Sequence, residues 1–149
     1  MDDQQSDPGI ARVPALAGEL RVLLGKLKRR LREEAHAGDF TWSQTSVLVR
    51  LERDGPATVT TLARAEGVRP QSMGATIAVL EAAGLVRGAP DPADGRQTIL
   101  SLTDTCRDMI RAGRAAREDW LSRAIQAKLS AVELEQLATG IGLLARLVD

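Results

Sequence analysis

Residues 58–102 contain two short helical patterns joined by a glycine-containing turn, and a β-hairpin pattern follows directly. Thr58 is a favourable N-cap for the first helix, and Gly67 can adopt the left-handed backbone conformation that a tight turn requires. Pro70 suits the start of the second helix, and Gly84 suits its C-terminal end. This order is typical of proteins that present one helix to a DNA groove and a loop to the adjacent groove.

The second helix of this pair, which is predicted to run from Pro70 to about Ala83, is the predicted DNA-reading element. The apolar residues spaced to hold it on a core are Val68, Met73, Ile77 and Leu80. Glutamine can pair bidentately with adenine, and glycine and alanine allow a close approach to the bases. The predicted contact residues are Arg69, Pro70, Gln71, Ser72, Gly74, Ala75 and Thr76. At the start of the preceding helix, Thr58 and Thr60 are predicted to contact phosphate.

The hairpin consists of two predicted strands, residues 85–87 and 97–102, around a loop rich in Pro, Asp and Gly. Arg96 is the only basic residue in the loop from 88 to 97, and arginine suits a narrow, electronegative minor groove. Asp94 is expected to brace Arg96 through a charge-assisted contact. The helix pair alone fits an ordinary helical hairpin with a polar face equally well, and the arginine-tipped loop favours the DNA-reading interpretation.

Longer helical patterns flank this segment on both sides. Residues 13–36 predict an amphipathic helix with Pro14 in its first turn. Residues 104–128 predict another long helix, and the capping box of Ser130 and Glu133 starts a last helix that extends to residue 147. Residues 1–9 are acidic and polar, so a disordered tail is predicted there.

A second helix is predicted between the first long helix and the helix pair. Thr41 is a plausible N-cap, and Asp54-Gly55-Pro56 stops the helix after Arg53. The side chains expected to face the core are Trp42, Val47, Leu48 and Leu51.

Composition excludes several classes of protein. The 149 residues hold 20 basic and 20 acidic side chains, so any phosphate-binding charge must be local. Only 2% of residues are aromatic, which argues against single-strand binding by base stacking. One Cys and one His predict neither a disulfide framework nor a metal site, and they suit a reducing cytoplasm. No apolar run is long enough for a membrane span, and no catalytic constellation or cofactor motif is present.

Several motifs together resemble the MarR-type (multiple antibiotic resistance regulator) transcription regulators. The wing of that family commonly reads D-P-x-D-x-R before a strand and L-T, and here residues 91–96 read DPADGR before Leu102-Thr103. The recognition helix of the family typically ends in L-E-x-x-G-L-V, and residues 80–86 read LEAAGLV. The second helix commonly carries T-x-x-Q-x-x-V-L, which Thr41, Gln44, Val47 and Leu48 match.

The resemblance covers nearly the whole chain and implies a fold and a function. The expected fold is mainly α with a small β-wing, six helices and one domain over residues 10–149. Its winged helix-turn-helix core spans about 41–102, and helices at 13–36 and 104–147 form a homodimer. The expected function is a sequence-specific, ligand-responsive repressor that binds double-stranded DNA at a pseudopalindromic operator. Two alternatives stay open: a winged-helix protein-interaction module, and a redox-responsive regulator that uses Cys106.

The resemblance also implies an effector pocket near the junction of the first, second and fifth helices. A small aromatic or anionic effector is expected there. The candidate lining residues are His36, Trp42, Thr45, Cys106 and Met109.

Overall fold

The computed structural model describes residues 8–35 and 40–149. Within them it contains six helices and three short strands. In chain order these are α1 (Pro8–Glu34), α2 (Trp42–Asp54), β1 (Ala57–Thr58), α3 (Val59–Glu66), α4 (Pro70–Ala82), β2 (Val86–Pro90), β3 (Thr98–Leu102), α5 (Asp104–Lys128) and α6 (Ala131–Ala145). The predicted mainly helical class with a β-wing is therefore confirmed.

The chain forms two compact units. The winged-helix unit comprises the described residues 40–115, and the helical unit comprises residues 8–35 and 116–149. His36 lies outside the described residues, and so do residues 1–7, which are part of the predicted disordered tail.

The winged-helix unit has a continuous apolar core to which all of its helices and strands β2 and β3 contribute. Leu62, Leu80 and Leu100 are among the largest side chains that are fully buried there. The buried core residues are Val47, Leu48, Leu51, Leu62, Ala63, Met73, Ile77, Leu80, Leu85, Val86, Leu100, Leu102 and Cys106. Burial of each large side chain stabilises the fold by about 1.5–3 kcal/mol.

The helix boundaries follow the predicted local signals. Thr41 forms a capping box with Gln44 at the start of α2, and Thr58 accepts a hydrogen bond from the Thr61 amide at the start of α3. Gly67 ends α3 with a φ of 67°, in the left-handed region that favours glycine. Pro70 occupies the first turn of α4. Each of these predictions is confirmed, and so is the capping box that begins α6.

The sheet has three antiparallel strands in the order β1-β3-β2. The predicted hairpin pairs Val86 with Leu102 and Pro90 with Thr98. Strand β1, which pairs Ala57 with Leu100, was not predicted from the sequence. A two-residue strand carries no detectable alternation, so only its tertiary partner defines it.

Three predictions about individual residues are wrong. Trp42 is 68% exposed, because it lies about 140° around α2 from the buried Val47. Val68 is 43% exposed, since it lies in the turn before α4 and not on the stripe that faces the core. Pro14 lies inside α1, which begins at Pro8; Pro8 is the residue that suits the first helical position, so residues 8 and 9 are not part of a tail.

The helical unit contains no fully buried side chain among its described residues. Leu16, Leu23 and Leu24 of α1 and Ile141 and Leu144 of α6 are all exposed apolar residues. No described helix has the length and apolarity needed to cross a membrane.

A polar link joins α2 to the last residue of α3. The Ser46 hydroxyl donates to Glu66 Oε2 at 2.7 Å, and Arg50 Nε donates to Glu66 Oε1 at 2.7 Å. These bonds stabilise the carboxylate and hold the pKa of Glu66 below its ordinary value of 4.5. The link is partly shielded from water, since the Glu66 side chain is 18% exposed.

Acid should weaken this link. Because the pKa of Glu66 is lower in the folded chain, its contribution to the free energy of unfolding is present above about pH 4.5 and is lost as the pH falls through the folded pKa. We expect Glu66→Gln to show a shallower fall in this free energy between neutral and acid pH than the wild type. Urea titrations across the range measure it, and parallel profiles would contradict the role of the carboxylate.

Candidate nucleic-acid interface

The orientation of α4 follows from its buried stripe. Met73, Ile77 and Leu80 face the core, so the opposite side of the helix faces solvent. Gln71, Ala75 and Ala78 on that side are exposed. Of the predicted contact residues, Arg69, Pro70, Gln71, Ser72 and Ala75 are exposed, and Gly74 and Thr76 are half-buried.

The first turn of α4 offers hydrogen-bond donors to a ligand. Arg69 occupies the N-cap position, and its side chain makes no capping hydrogen bond. The amides at the start of the helix therefore remain available, at the positive end of the helix dipole. Thr76 differs from the other predicted contacts, because its hydroxyl donates to the Ser72 carbonyl at 3.3 Å.

Small residues leave the outer face of α4 open. A Cβ atom added at Gly74 would meet no other atom within 4 Å, so packing does not require glycine there. Alanine at 75 and 78 adds only a methyl group. The backbone of α4 can therefore approach a groove closely, and the alanine methyls can contact a thymine methyl.

The two threonines at the start of α3 have different surroundings. Thr58 Oγ1 accepts a hydrogen bond from the Thr61 amide at 3.2 Å and lies 3.0 Å from Thr61 Oγ1. Its side chain therefore caps the helix. Thr60 is exposed, and its predicted contact with phosphate stays a prediction.

Four exposed arginines lie in the helix pair and the wing, and only Arg69 and Arg96 were predicted from the sequence. Arg64 in the last turn of α3, Arg69, Arg87 in β2 and Arg96 are all exposed. Over the ranges 8–35 and 40–149, no acidic side chain forms an ion pair with any of these four, whereas Arg50, Arg53, Arg111 and Arg114 are paired. The sequence could have predicted that Arg64 is unpaired, because no acidic residue lies three or four positions from it along the helix.

The wing tip is held by hydrogen bonds to two aspartates. The Asp91 carboxylate accepts the Ala93 amide at 2.8 Å, and the Asp94 carboxylate accepts the Arg96 amide at 3.1 Å. Asp94 also accepts the Gln97 amide through its carbonyl at 3.0 Å. The predicted contact between the Asp94 carboxylate and the Arg96 guanidinium is therefore wrong, because the carboxylate accepts the Arg96 backbone amide instead. Asp94 shapes the turn through the backbone of Arg96 and leaves the guanidinium exposed.

The candidate effector residues differ in their exposure, and their predicted pocket stays a prediction. Cys106 is fully buried in the core, and Met109 packs against that core. Burial raises the pKa of the Cys106 thiol above its ordinary value of 9.0, which disfavours the reactive thiolate that a redox sensor needs. Thr45 is half-buried.

Trp42 lines a recess beside α4. This recess has a volume of about 180 Å³, and Glu66, Val68, Ser72 and Thr76 also line it. None of Thr45, Cys106 and Met109 contributes to this recess. The exposed indole of Trp42 therefore lies next to the recognition helix.

Comparisons with known proteins agree with this architecture. The MarR family model matches residues 39–97. An HTH-type transcriptional regulator from Mycobacterium tuberculosis is 37% identical over 134 residues, which cover 90% of this chain and 93% of that protein. A transcriptional regulator from Pseudomonas aeruginosa has a crystal structure that matches with a TM-score of 0.78 at 38% identity, covering 91% of this chain and 94% of that chain.

The same fold occurs in a structure of a mutant of MepR from S. aureus bound to an oligodeoxyribonucleotide. The TM-score is 0.70 at 20% identity, over 90% of this chain and 98% of that chain. The described fold, the family model and the similarity to regulators lead to one conclusion. The chain belongs to the MarR family and is a transcriptional regulator with a DNA-binding fold, not an enzyme.

Proposed function

We propose that this protein is a homodimeric repressor that binds a specific double-stranded DNA sequence. The observation that carries the proposal is the exposed outer face of α4, with unpaired Arg69 at its start and unpaired Arg96 on the wing. A helix with a small-residue face fits the major groove, and an arginine on a wing fits the minor groove. A cytoplasmic location is part of the proposal, because the protein must reach DNA.

The exposed apolar surface of the helical unit supports the homodimer. An apolar groove of about 720 Å³ runs between α1 and α6, and Leu16, Leu20, Leu143 and Leu144 line it. Exposed apolar surface of this extent is costly in water, and an isologous two-fold interface would cover it in both copies. Two-fold symmetry would in turn favour a pseudopalindromic operator with half-sites about one helical turn apart.

Gln71 is the side chain best placed to read a base. We expect Gln71→Ala to lose roughly 1–3 kcal/mol of discrimination between the cognate and a scrambled duplex, the value of one bidentate base contact. Fluorescence anisotropy on both duplexes at one salt concentration measures the loss. Gln126→Ala, at an exposed glutamine of α5, is the matched control. An equal loss on both duplexes would show that Gln71 does not read sequence.

The wing arginine should contribute through its charge. We expect Arg96→Ala to reduce the slope of log affinity against log salt by roughly one per wing, because one cation fewer displaces counterions. Arg53→Ala removes the same charge from a residue that is paired with Asp54, and it should leave the slope unchanged.

Substitutions of Asp94 separate the effect of the turn's shape from that of the carboxylate's charge in the same salt titration. Asn can still accept the Arg96 amide, so Asp94→Asn should weaken binding less than Arg96→Ala, whereas Asp94→Ala should disorder the turn. Tighter binding by Asp94→Asn would instead mean that the carboxylate acts mainly by repelling phosphate.

The homodimer has a direct test. Light scattering at micromolar concentration should give twice the single-chain mass of 16.0 kDa. Leu144→Asp should shift the mass toward that of one chain, because it places a charge in the groove between α1 and α6. A monodisperse monomer in the wild type would overturn the dimer.

A small aromatic or anionic effector completes the proposal. The exposed Trp42 ring beside Ser72 and Thr76 supports it, since a molecule stacked on the indole would touch the recognition helix. A thermal-shift screen of small aromatic acids should find ligands that also weaken operator binding, because linkage between two sites is reciprocal. Ligands that raise the melting temperature without changing DNA affinity would argue against this coupling.

A further inference from the structure

Glu66 occupies a position from which it can control the direction of α4. It is the last residue of α3, and only three residues separate it from Pro70, where α4 begins. The intervening turn has a defined shape, because the Gly67 amide donates to the Arg64 carbonyl at 3.3 Å and the Val68 amide donates to the Ala63 carbonyl at 3.0 Å. A displacement of Glu66 is therefore transmitted directly to the start of α4.

Two residues of α2 hold the Glu66 carboxylate, and they lie one helical turn apart. Ser46 contacts one carboxylate oxygen and Arg50 contacts the other, each at 2.7 Å. Arg50 is itself held at 3.6 Å from Asp54, a further turn along α2. A carboxylate that is held through both oxygens is fixed in orientation as well as in position.

The apolar core does not supply this orientational control by itself. Hydrophobic contact is non-directional, so Leu62 and Ala63 of α3 can stay buried while the helix tilts slightly on α2. Hydrogen bonds have strong distance and angle requirements. The link at Glu66 therefore adds what the core lacks at the end of α3 nearest the turn.

We propose that Ser46, Arg50 and Glu66 are positioning residues that set the tilt of α4, and thereby its base specificity, without contacting DNA. The proposal rests on the proposed function, in which α4 reads base edges. General phosphate attraction tolerates a small tilt, whereas bidentate base contacts do not. Loss of the link should therefore reduce discrimination more than it reduces nonspecific affinity.

The test compares affinities of the full chain for a selected operator and for a scrambled duplex of the same composition. We expect Glu66→Ala to lower the operator-to-scrambled affinity ratio by roughly 5- to 150-fold, the range that one bidentate base contact provides. Glu66→Gln retains one acceptor oxygen and should lower the ratio less. Urea titrations of each variant then show whether the change follows stability.

Glu52 provides the matched control. It lies on the same helix and pairs with Arg114 of α5 at 3.0 Å, so Glu52→Ala removes an ion pair from α2 without touching α3. Its operator-to-scrambled ratio should equal that of the wild type. Ser46→Ala removes one of the two bonds to Glu66 with the smallest change in volume, and it supplies the same readout if Glu66→Ala does not fold.

Two kinds of result would overturn the proposal, and they are distinguishable. A wild type with no preference between the duplexes would overturn the proposed function and this inference together. A wild type with a clear preference that Glu66→Ala, Glu66→Gln and Ser46→Ala leave unchanged would overturn the positioning role alone. If these variants lose unfolding free energy while the ratio stays unchanged, the positioning role is again overturned, because the link would then be purely structural.

Discussion

Burial of one apolar stripe of α4 determines which side chains the winged-helix unit exposes to solvent. Met73, Ile77 and Leu80 are held in the core, which stabilises the fold by about 1.5–3 kcal/mol for each large side chain. Because the stripe occupies one side of a short helix, Gln71 and Ala75 must face solvent. The left-handed turn at Gly67 makes this packing possible, since it reverses the chain directly after α3. The exposed face is thus a consequence of the core.

Charge is arranged on this unit although the chain as a whole is neutral. The formal net charge is zero, yet Arg64, Arg69, Arg87 and Arg96 have no acidic partner among the described residues. Other arginines are tied to neighbouring acids, as Arg50 is to Glu66. Within the described residues 40–115, four of the five arginines without an ion pair therefore lie in the helix pair and the wing, and the fifth is Arg107 in α5. A balanced composition is compatible with phosphate attraction when the free cations are grouped in this way.

Local signals made much of this architecture predictable from sequence, and tertiary contacts account for the errors. The caps at Thr41 and Thr58 and the turn at Gly67 depend on neighbours within a few residues, so the pattern alone identified them. The burial of Val47, which leaves Trp42 on the solvent side of α2, and the pairing of β1 depend on partners that are distant in sequence. The prediction named Arg96 correctly as the partner of Asp94 but chose its guanidinium, whereas the carboxylate accepts a hydrogen bond from the Arg96 backbone amide. A sequence does not show which of these two donors a carboxylate meets.

The most direct test of the account is selection of binding sites from a random duplex library by the purified protein, followed by sequencing of the retained DNA. We expect enrichment of one pseudopalindromic motif with half-sites about one helical turn apart, because two copies of α4 would read the major groove on the same side of the duplex. Retention of DNA without an enriched motif would contradict base reading by α4. Failure to retain any duplex at low salt would contradict DNA binding itself.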